Sequence, residues 1–547
     1  MRMLLIATFY PPQHAVASLR THAFATAWAA AGHDVTVLTT TKRSDQAGMP
    51  RESPGVRVVE VPYRGPWPLE LWRRRRARHR TPDQGFGPNP GPNVGRNAGP
   101  NAGPNAGPNV DQNVVQNLGN NPGQIEDDAA NRPTPSAAHR LPTHDRTASD
   151  RIRGRLGIYA GRRMPDLTDR WVAPAIAAAQ AEAPFDVAVS SSGPYTTHLV
   201  ARALRRDGHA RRWVADFRDL WVDNHLGGGV WPFTIRERAL QRACLASADM
   251  LTTVTDHLAD RLRQSPGTGN TPISVVPNGF DPDDVAAARA QVAGDSDAFW
   301  AGLGIPHRGR TLVYTGSVHP HGQSGAALFG AMAARKAAAA SRVATSTETG
   351  TPAGNHSQSA AQDHPIRVVV AGTGAELWQR WADDAGMPDA LVHLGRCPRT
   401  TALAMQHAAD GLISLAWSGP RTGGVSGKVF EYLSASAPIL VIGGRPTDPL
   451  PTLVEACGRG RHLGGDVDTI AMALGELDGV RPSSPDRPRI ARFSRPVQAA
   501  EFARGVETLL AGPDSDRHET SARRPAMKRT PARGDLQTAS TLPEDRG

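Results

Sequence analysis

The sequence predicts an α/β protein built from two doubly wound parallel sheets that face each other. Continuous apolar runs at residues 3–7 and 311–314 are typical of strands buried on both faces of a parallel sheet. Helical patterns separate such runs in both halves of the 547-residue chain, which is long enough for two domains. Because open α/β sheets bind ligands outside the carboxyl ends of their strands, we expect the site in the cleft between the sheets.

The first half begins with a strand, a helix that Gly32 stops, and a second strand. Further strands are predicted at 56–61, 185–189, 213–215, 250–254 and 273–276, with helices at about 167–181 and 233–247. An Asn-Ala-Gly-Pro tract at 97–108 interrupts this series. Because so few apolar residues cannot offset chain entropy by burial, we predict a disordered insertion at about 80–150.

The second half repeats the pattern, with strands at 311–314, 367–371, 391–394, 411–415 and 438–442. A stretch rich in Ala, Ser and Thr predicts a flexible insertion at about 340–364. We therefore predict a first domain at 1–285, a second at 286–492, a closing helix at 493–511 and a disordered tail at 512–547.

Residues 423–433 combine a glycine-rich loop with the start of a short helix. The free N–H groups of a helix N-terminus suit a phosphate. Lys428, one of only four lysines in the chain, and Glu431 are three residues apart and share a helix face. The pattern is compatible with a site for the diphosphate and ribose of a nucleotide, and equally with an ordinary loop and helix.

Charge and cysteine content narrow the possible partners and the compartment. The net charge of +10 favours anionic partners. Three separated cysteines, Cys244, Cys397 and Cys457, predict reduced thiols in a cytoplasmic protein without a zinc site. Apolar residues beside the arginine run at 73–76 suit either an anionic membrane surface or a solvated loop edge. No nucleic-acid-binding module is recognised, so no nucleic-acid partner is predicted.

Five short motifs occur in a characteristic order: Tyr-Pro-Pro at 10–12, Gly-His-Asp-Val-Thr-Val-Leu-Thr at 32–39, Asp-Phe-Arg-Asp-Leu-Trp at 216–221, Pro-Asn-Gly-Phe-Asp at 277–281, and Lys-Val-Phe-Glu-Tyr-Leu at 428–433. Together they resemble the retaining glycosyltransferases of the GT4 type. The resemblance implies a GT-B fold, with two facing Rossmann-like domains. It also implies that the first domain binds the acceptor and the second binds a nucleotide sugar.

The resemblance also implies roles for individual residues. Glu431 would bind the ribose, the loop at 424–426 the sugar and diphosphate, residues 316–317 the diphosphate and residues 395–397 the base. Arg218 stands where many relatives carry a histidine, although residues 216–219 are also compatible with a structural ion-pair cluster. The candidate residues are Arg218 and Asp219 for catalysis, and His14, Gly316, Ser317, Gly395, Cys397, Arg421, Gly424, Val425, Ser426, Lys428 and Glu431 for substrate binding.

The chain departs from the family pattern at two positions that bear on phosphate and sugar binding. Gly423 stands where many relatives have the first carboxylate of a Glu-x7-Glu pair, and residues 317–322 lack the usual Arg and Lys. Phosphate neutralisation then falls to Lys428, Arg421 or a histidine.

The expected function is transfer of a sugar from a nucleotide sugar to a hydroxyl acceptor, with retention and without a metal or other cofactor. The alternatives are an inactive GT-B protein that binds a sugar nucleotide or a partner, and a sugar-nucleotide epimerase. We expect a cytoplasmic location, peripheral to the inner face of the membrane if the arginine run binds lipid.

Overall fold

The computed structural model describes residues 1–42, 46, 48–62, 169–224, 231–305, 309–320, 322–348, 365–418, 424–477 and 485–512. The predicted insertion at about 80–150, the arginine run at 73–76, residues 349–364 and residues 513–547 of the tail lie outside these ranges. So do Arg421, Gly423 and His321.

The described residues form two parallel sheets. The strands of the first sheet are β1 (Arg2–Ile6), β2 (Asp34–Thr40), β3 (Val56–Val61), β4 (Phe185–Ser191), β5 (Ala210–Phe217), β6 (Met250–Thr253) and β7 (Ile273–Val275). Those of the second sheet are β8 (Arg310–Ser317), β9 (Ile366–Thr373), β10 (Leu391–Gly395), β11 (Gly411–Leu415), β12 (Ile439–Ile442) and β13 (Gly460–Gly464).

Helices follow most strands. In chain order they are α1 (Val16–Ala30), α2 (Val172–Glu182), α3 (Thr196–Arg206), α4 (Phe233–Ser247), α5 (Asp256–Arg263), α6 (Pro282–Val292), α7 (Ser296–Gly302), α8 (Ala326–Glu348), α9 (Ala375–Asp384), α10 (Arg399–Ala408), α11 (Gly427–Ser434), α12 (Pro449–Ala456), α13 (Val467–Glu476), α14 (Arg487–Ala491) and α15 (Arg495–Ala511). Short 3₁₀ helices occupy Asp169–Trp171 and Pro388–Ala390.

Both sheets have the doubly wound strand order. The first runs β3-β2-β1-β4-β5-β6-β7 and the second β10-β9-β8-β11-β12-β13, and the pairings are parallel. The order reverses between β1 and β4 in one sheet and between β8 and β11 in the other. Ligands bind at such switch points, so the topology directs attention to the loops that follow these strands.

The central strands β1 and β8 have continuous apolar runs because helices cover both faces of each sheet. In β1, Leu4 and Ile6 belong to one buried cluster, whereas Met3 and Leu5 belong to another on the opposite face. Val313 and Leu312 of β8 divide in the same way. The predicted fold class, two facing doubly wound α/β domains, is confirmed.

The chain crosses between the sheets twice, and the two crossings are hydrogen-bonded to each other. The N–H of Phe280 donates to the carbonyl of Phe493 over 3.1 Å. Gly279 permits this approach, because a Cβ there would lie 2.3 Å from the carbonyl oxygen of Phe493. After the second crossing, α15 packs on the first sheet, where the Trp28 indole N–H donates to the carbonyl of Ala499. The predicted domain boundary at 285/286 falls within α6, between the sheets.

One segment of the predicted insertion at 340–364 is helical instead. Helix α8 continues from Ala326 to Glu348, so residues 340–348 are part of a 23-residue helix. The Ser, Thr and Val residues of 341–347 have low helix propensity and suggested a flexible segment, but they directly follow the Ala-rich run at 333–340, whose helix propensity is high. Its first turns are held by burial of Leu328, Phe329 and Met332 against the second sheet.

Candidate active site

Two adjoining cavities lie between the carboxyl ends of the two sheets. We call them the first-sheet cavity, of about 540 Å³, which reaches Arg218 and Asp219, and the second-sheet cavity, of about 610 Å³, which reaches Arg399 and Glu431. They share wall residues from both halves of the chain, Lys428 among them. The two cavities therefore form one continuous cleft at the switch points of both sheets.

The cleft brings together most of the residues that the sequence singled out. The second-sheet cavity is lined by His14, Gly316, Ser317, Cys397, Ser426, Lys428 and Glu431. The first-sheet cavity is lined by Arg218, Asp219, Gly424, Val425, Ser426 and Lys428. Gly395 lies at the end of β10, where its N–H donates to Nδ1 of His393 over 3.1 Å, and it lines neither cavity.

Helix α11 presents Lys428 and Glu431 to the cleft because its other face is buried. Val429, Phe430 and Leu433 pack into the core of the second sheet. The Tyr432 hydroxyl accepts a hydrogen bond from the N–H of Thr315 over 2.9 Å, which fixes the helix against the end of β8. The N-cap, Ser426, makes no side-chain cap hydrogen bond to the helix.

The ammonium of Lys428 is buried without a hydrogen-bond partner among the described residues. Its Nζ lies 3.6 Å from the centroid of the Tyr314 ring, and a Cβ on Gly316 would lie 3.6 Å from the same atom. Burial lowers the pKa of Lys428 to about 7, while the charge of Glu431 opposes the shift. An unpaired buried cation is costly to maintain, so this position suits an anionic ligand.

Glu431 is held in place by two side chains of α10. Arg399 donates from Nη1 to Oε1 of Glu431 over 2.6 Å, and Gln406 donates from Nε2 to Oε2 over 3.3 Å. Arg399 also pairs with Asp284 at 3.2 Å. The sequence analysis missed Arg399 and Gln406. Their spacing of seven residues places them on one face of a helix and could have marked them as a pair.

Glycines bring the ends of β8 and β9 close together beside Lys428. Gly316 has a φ of +103°, a conformation that favours glycine. Gly316 pairs with Gly372, where an added Cβ would lie 1.8 Å from the carbonyl oxygen of Gly316. Thr373 then donates from Oγ1 to Oγ of Ser317 over 2.9 Å. The result is a wall of exposed backbone and hydroxyl groups next to the buried ammonium.

The cluster at 216–219 divides into a structural part and a part that lines the cleft. Asp216 is buried, pairs with Arg20 at 3.4 Å, and accepts from Ser191 and Thr252. Arg218 instead donates from Nε to the carbonyl of Ser192 over 2.9 Å and lines the first-sheet cavity, as does Asp219. The structural ion pair is therefore between Asp216 and Arg20, and Arg218 and Asp219 remain available to the cleft.

Two facing Rossmann-like sheets with a cleft between them define the GT-B architecture. Sucrose-phosphate synthase from Thermosynechococcus elongatus is similar in structure, with a TM-score of 0.51, 14% identity, and coverage of 93% of this chain and 99% of that chain. A glycosyltransferase from Rickettsia africae ESF-5 gives a TM-score of 0.50, 8% identity and coverage of 93% and 99%. The N-terminal domain of Candida albicans trehalose-6-phosphate phosphatase gives a TM-score of 0.51 and 10% identity, with coverage of 93% of this chain and 97% of that chain. At these identities the likeness shows the fold.

The sequence itself carries a family match. Residues 132–284 match the model described as Glycosyltransferase Family 4, so the GT4 resemblance is confirmed and glycosyl transfer is supported as the general reaction. No curated protein matches the chain.

Proposed function

We propose that this protein transfers a sugar from a nucleotide-sugar donor to a hydroxyl acceptor, with retention at the anomeric carbon. The observation that carries the proposal is the buried ammonium of Lys428, which has no hydrogen-bond partner among the described residues and lies at the start of α11 inside the cleft. A diphosphate is the anion that matches a helix N-terminus, a buried cation and an adjacent backbone wall.

The donor diphosphate would lie between Lys428, the first N–H groups of α11 and the backbone at Gly316 and Ser317. All of these groups line the second-sheet cavity. During transfer, negative charge accumulates on the leaving diphosphate. Hydrogen-bond donors and a cation of the protein that are already in place stabilise that charge without reorganisation. This stabilisation is the main contribution such a site makes to the rate. The proposal assigns no protein nucleophile, metal or other cofactor.

The ribose would lie against Glu431. A carboxylate offers about four lone-pair positions, and Arg399 and Gln406 occupy one on each oxygen. The remaining lone pairs can accept from the two ribose hydroxyls. Arg399 and Gln406 would thus act as positioning residues that fix the carboxylate before the donor arrives. The base would extend towards Cys397, which lines the same cavity.

The acceptor would enter from the first-sheet cavity. Arg218 and Asp219 line its wall on the first sheet, and the loop at 424–426 lines the opposite side. His14 and His319 lie at the edge of the second-sheet cavity and are exposed. Holding acceptor and donor in one cleft converts a bimolecular reaction into an effectively intramolecular one. We assign these residues to acceptor and sugar positioning.

We further propose that the protein is cytoplasmic and contacts the inner face of a membrane. Within the described ranges, none of the helices is long and apolar enough to cross a bilayer.

Calorimetry with purified protein and a panel of nucleotide sugars tests the proposal. We expect one class of donor to bind, and NMR of the transfer product to show the anomeric configuration of the donor. Binding without transfer or slow donor hydrolysis would favour the inactive binding protein, and conversion of one nucleotide sugar into its epimer would favour the epimerase. Absence of binding by any nucleotide sugar would contradict the transferase, the epimerase and the inactive sugar-nucleotide binder, and would leave an inactive GT-B protein that binds another partner.

A further inference from the structure

An apolar and basic surface lies at the start of α4. We define the α4 patch as Trp231, Phe233, Ile235, Arg238 and Arg242. The apolar members are unusually exposed, with relative exposures of 79% for Trp231, 45% for Phe233 and 63% for Ile235. Three large apolar side chains within five residues form a continuous feature, in contrast to the isolated exposed residues that are normal on protein surfaces.

The basic residues of α4 lie on its exposed face and its acidic residue lies on its buried face. Ile235, Arg238 and Arg242 are spaced three and four residues apart and are exposed along one stripe. Arg236 is exposed beside them. The one acidic residue of the helix, Glu237, is 1% exposed on the opposite face. The exposed surface of α4 therefore combines an apolar tip with arginine as its only charge.

The position of α4 places this patch on the edge of the first sheet on which the cleft opens. Strand β5 ends at Phe217, and the chain then passes Arg218 and Asp219 in the first-sheet cavity. The N–H of Val222 donates to Oε1 of Gln241 over 2.8 Å, which anchors this loop to α4. Because α4 returns the chain to the start of the parallel strand β6, its N-terminus lies at the carboxyl edge of the sheet, where the cleft opens.

We propose that the α4 patch docks this protein on an anionic lipid bilayer, with the cleft mouth turned towards the membrane. Trp suits the headgroup region, where its apolar ring is buried and its N–H stays hydrated. Phe and Ile add apolar surface that inserts at the boundary between headgroups and acyl chains. Arginines on the same face are attracted to the negative surface potential of an anionic leaflet. On the proposed function, this orientation selects a lipid-linked hydroxyl acceptor that reaches the first-sheet cavity from the bilayer.

A second copy of the chain fits the same patch less well. A twofold interface would place the patch against itself, which brings the arginines of both copies together with no exposed acidic residue of α4 to pair with them. A stable interface also needs about 800 Å² from each partner. The patch offers one helical turn of apolar side chains, which is the scale of shallow insertion into headgroups.

Cosedimentation of the full-length protein with vesicles tests the proposal. Vesicles of equimolar phosphatidylglycerol and phosphatidylcholine are compared with pure phosphatidylcholine at low and high salt. We expect binding to the anionic vesicles that weakens in high salt. The combined change Trp231→Ser, Phe233→Ser and Ile235→Ser should lower the partition coefficient about tenfold or more. Arg238→Glu with Arg242→Glu should remove most of the salt-dependent binding.

Matched controls come from the second sheet. Met472→Ser removes an exposed apolar side chain of 64% exposure, and Arg380→Glu reverses an exposed charge. Both should bind vesicles as the wild type does. Trp231 also offers a direct signal, because the fluorescence of the wild type minus that of Trp231→Phe should shift to shorter wavelength when anionic vesicles are added.

Several outcomes would overturn the proposal. They are equal recovery of the wild type with all vesicles, unchanged binding by the patch variants, or loss of binding only when Arg73–Arg76 are replaced by Ala. A change from dimer to monomer in the patch variants, without an effect on vesicle binding, would assign the patch to a second copy. Donor calorimetry on the same variants should match the wild type, so a failure of donor binding would concern the proposed function and leave the docking result intact.

Discussion

Two lysines in this protein share one electrostatic property and differ in their surroundings. Burial lowers the pKa of both Lys42, beyond the end of β2, and Lys428, at the start of α11, to about 7. Lys42 donates to the carbonyl of Thr8 and the hydroxyls of Thr39 and Thr40. Lys428 contacts the face of the Tyr314 ring and has no hydrogen-bond partner among the described residues.

The difference indicates which lysine stabilises the fold and which awaits a ligand. A buried cation surrounded by oxygen acceptors offsets part of its desolvation within the protein. Among the described residues, the ammonium of Lys428 is supported only by the Tyr314 ring and the charge of Glu431, so its hydrogen-bond donors stay unused until an anion binds. A perturbed pKa therefore does not identify the functional lysine here, whereas the unused donors and the adjacent cavity do.

The largest expected effect is the loss of donor binding in Lys428→Met. A hydrogen bond to a charged group contributes about 1.5–3 kcal/mol, so affinity for a nucleoside diphosphate should fall roughly 10- to 150-fold at about 1.4 kcal/mol per decade. Affinity for the nucleoside alone should change little, because the ammonium faces the phosphates. Calorimetry with both ligands measures this. Equal losses for both would place Lys428 away from the diphosphate.

The matched variant Lys42→Met should have the opposite pattern. Methionine fills the space but leaves the carbonyl of Thr8 and the hydroxyls of Thr39 and Thr40 without their donor. A buried acceptor left unsatisfied costs about 1–3 kcal/mol. At about pH 10 the folded Lys42 is neutral and the variant spares no buried charge, so the free energy of unfolding should fall by that amount there, while affinity for the nucleotide sugar at neutral pH is kept. Chemical denaturation and calorimetry measure the two quantities. A loss of donor affinity in folded Lys42→Met would remove the distinction between the two lysines.

The sequence predicts the fold and the part of the site formed by α11, because both depend on residues that are close together along the chain. Apolar runs and helical spacing are properties of neighbouring residues, and so is the shared helix face of Lys428 and Glu431. The contact of Lys428 with Tyr314 joins residues more than a hundred positions apart. No periodicity in the sequence reports such a pairing.

The parts that the sequence missed depend on packing between elements. Arg399 reaches Glu431 from another helix, and Asp216 pairs with Arg20 of α1 although Arg218 is nearer along the chain. Residues 340–348 continue α8 because a helix that is already anchored in the core and Ala-rich up to residue 340 extends at little cost into the Ser- and Thr-containing residues that follow. Sequence composition alone could not supply that anchor.

A smaller effect is expected from pH. Above pH about 7 free Lys428 loses its proton, whereas the donor diphosphate favours the charged form. Binding then takes up one proton, so affinity should fall about tenfold per pH unit above that value. Calorimetry in buffers of different ionisation enthalpy counts the protons. The fall of affinity with pH should be absent in Lys428→Met and present in Lys42→Met and His319→Gln. A slope that survives in Lys428→Met would assign the proton to another group.

The same pKa shift predicts how stability depends on pH. The unfolded lysine keeps its proton up to its ordinary value of 10.5, whereas the folded Lys428 loses it near 7. Between these values the unfolded state binds more protons, so the free energy of unfolding should rise with pH. Lys42 contributes in the same direction. Each methionine variant should therefore lose part of the rise, which urea denaturation across this range would measure.

The smallest expected effect comes from Glu431→Gln. The amide oxygen still accepts one hydrogen bond, so donor affinity at pH about 6 should fall by less than tenfold, and for nucleoside and diphosphate alike. The change also removes the charge that supports the ammonium of Lys428, so the pKa of Lys428 should fall further and the pH profile of binding should move to lower pH. Arg399→Gln, which removes a partner of Glu431 and leaves its charge, is the matched control and should move the profile the other way or leave it in place. A profile that does not move in Glu431→Gln would mean that Lys428 does not set the pH dependence, and the comparison between the two lysines would then rest on hydrogen bonding alone.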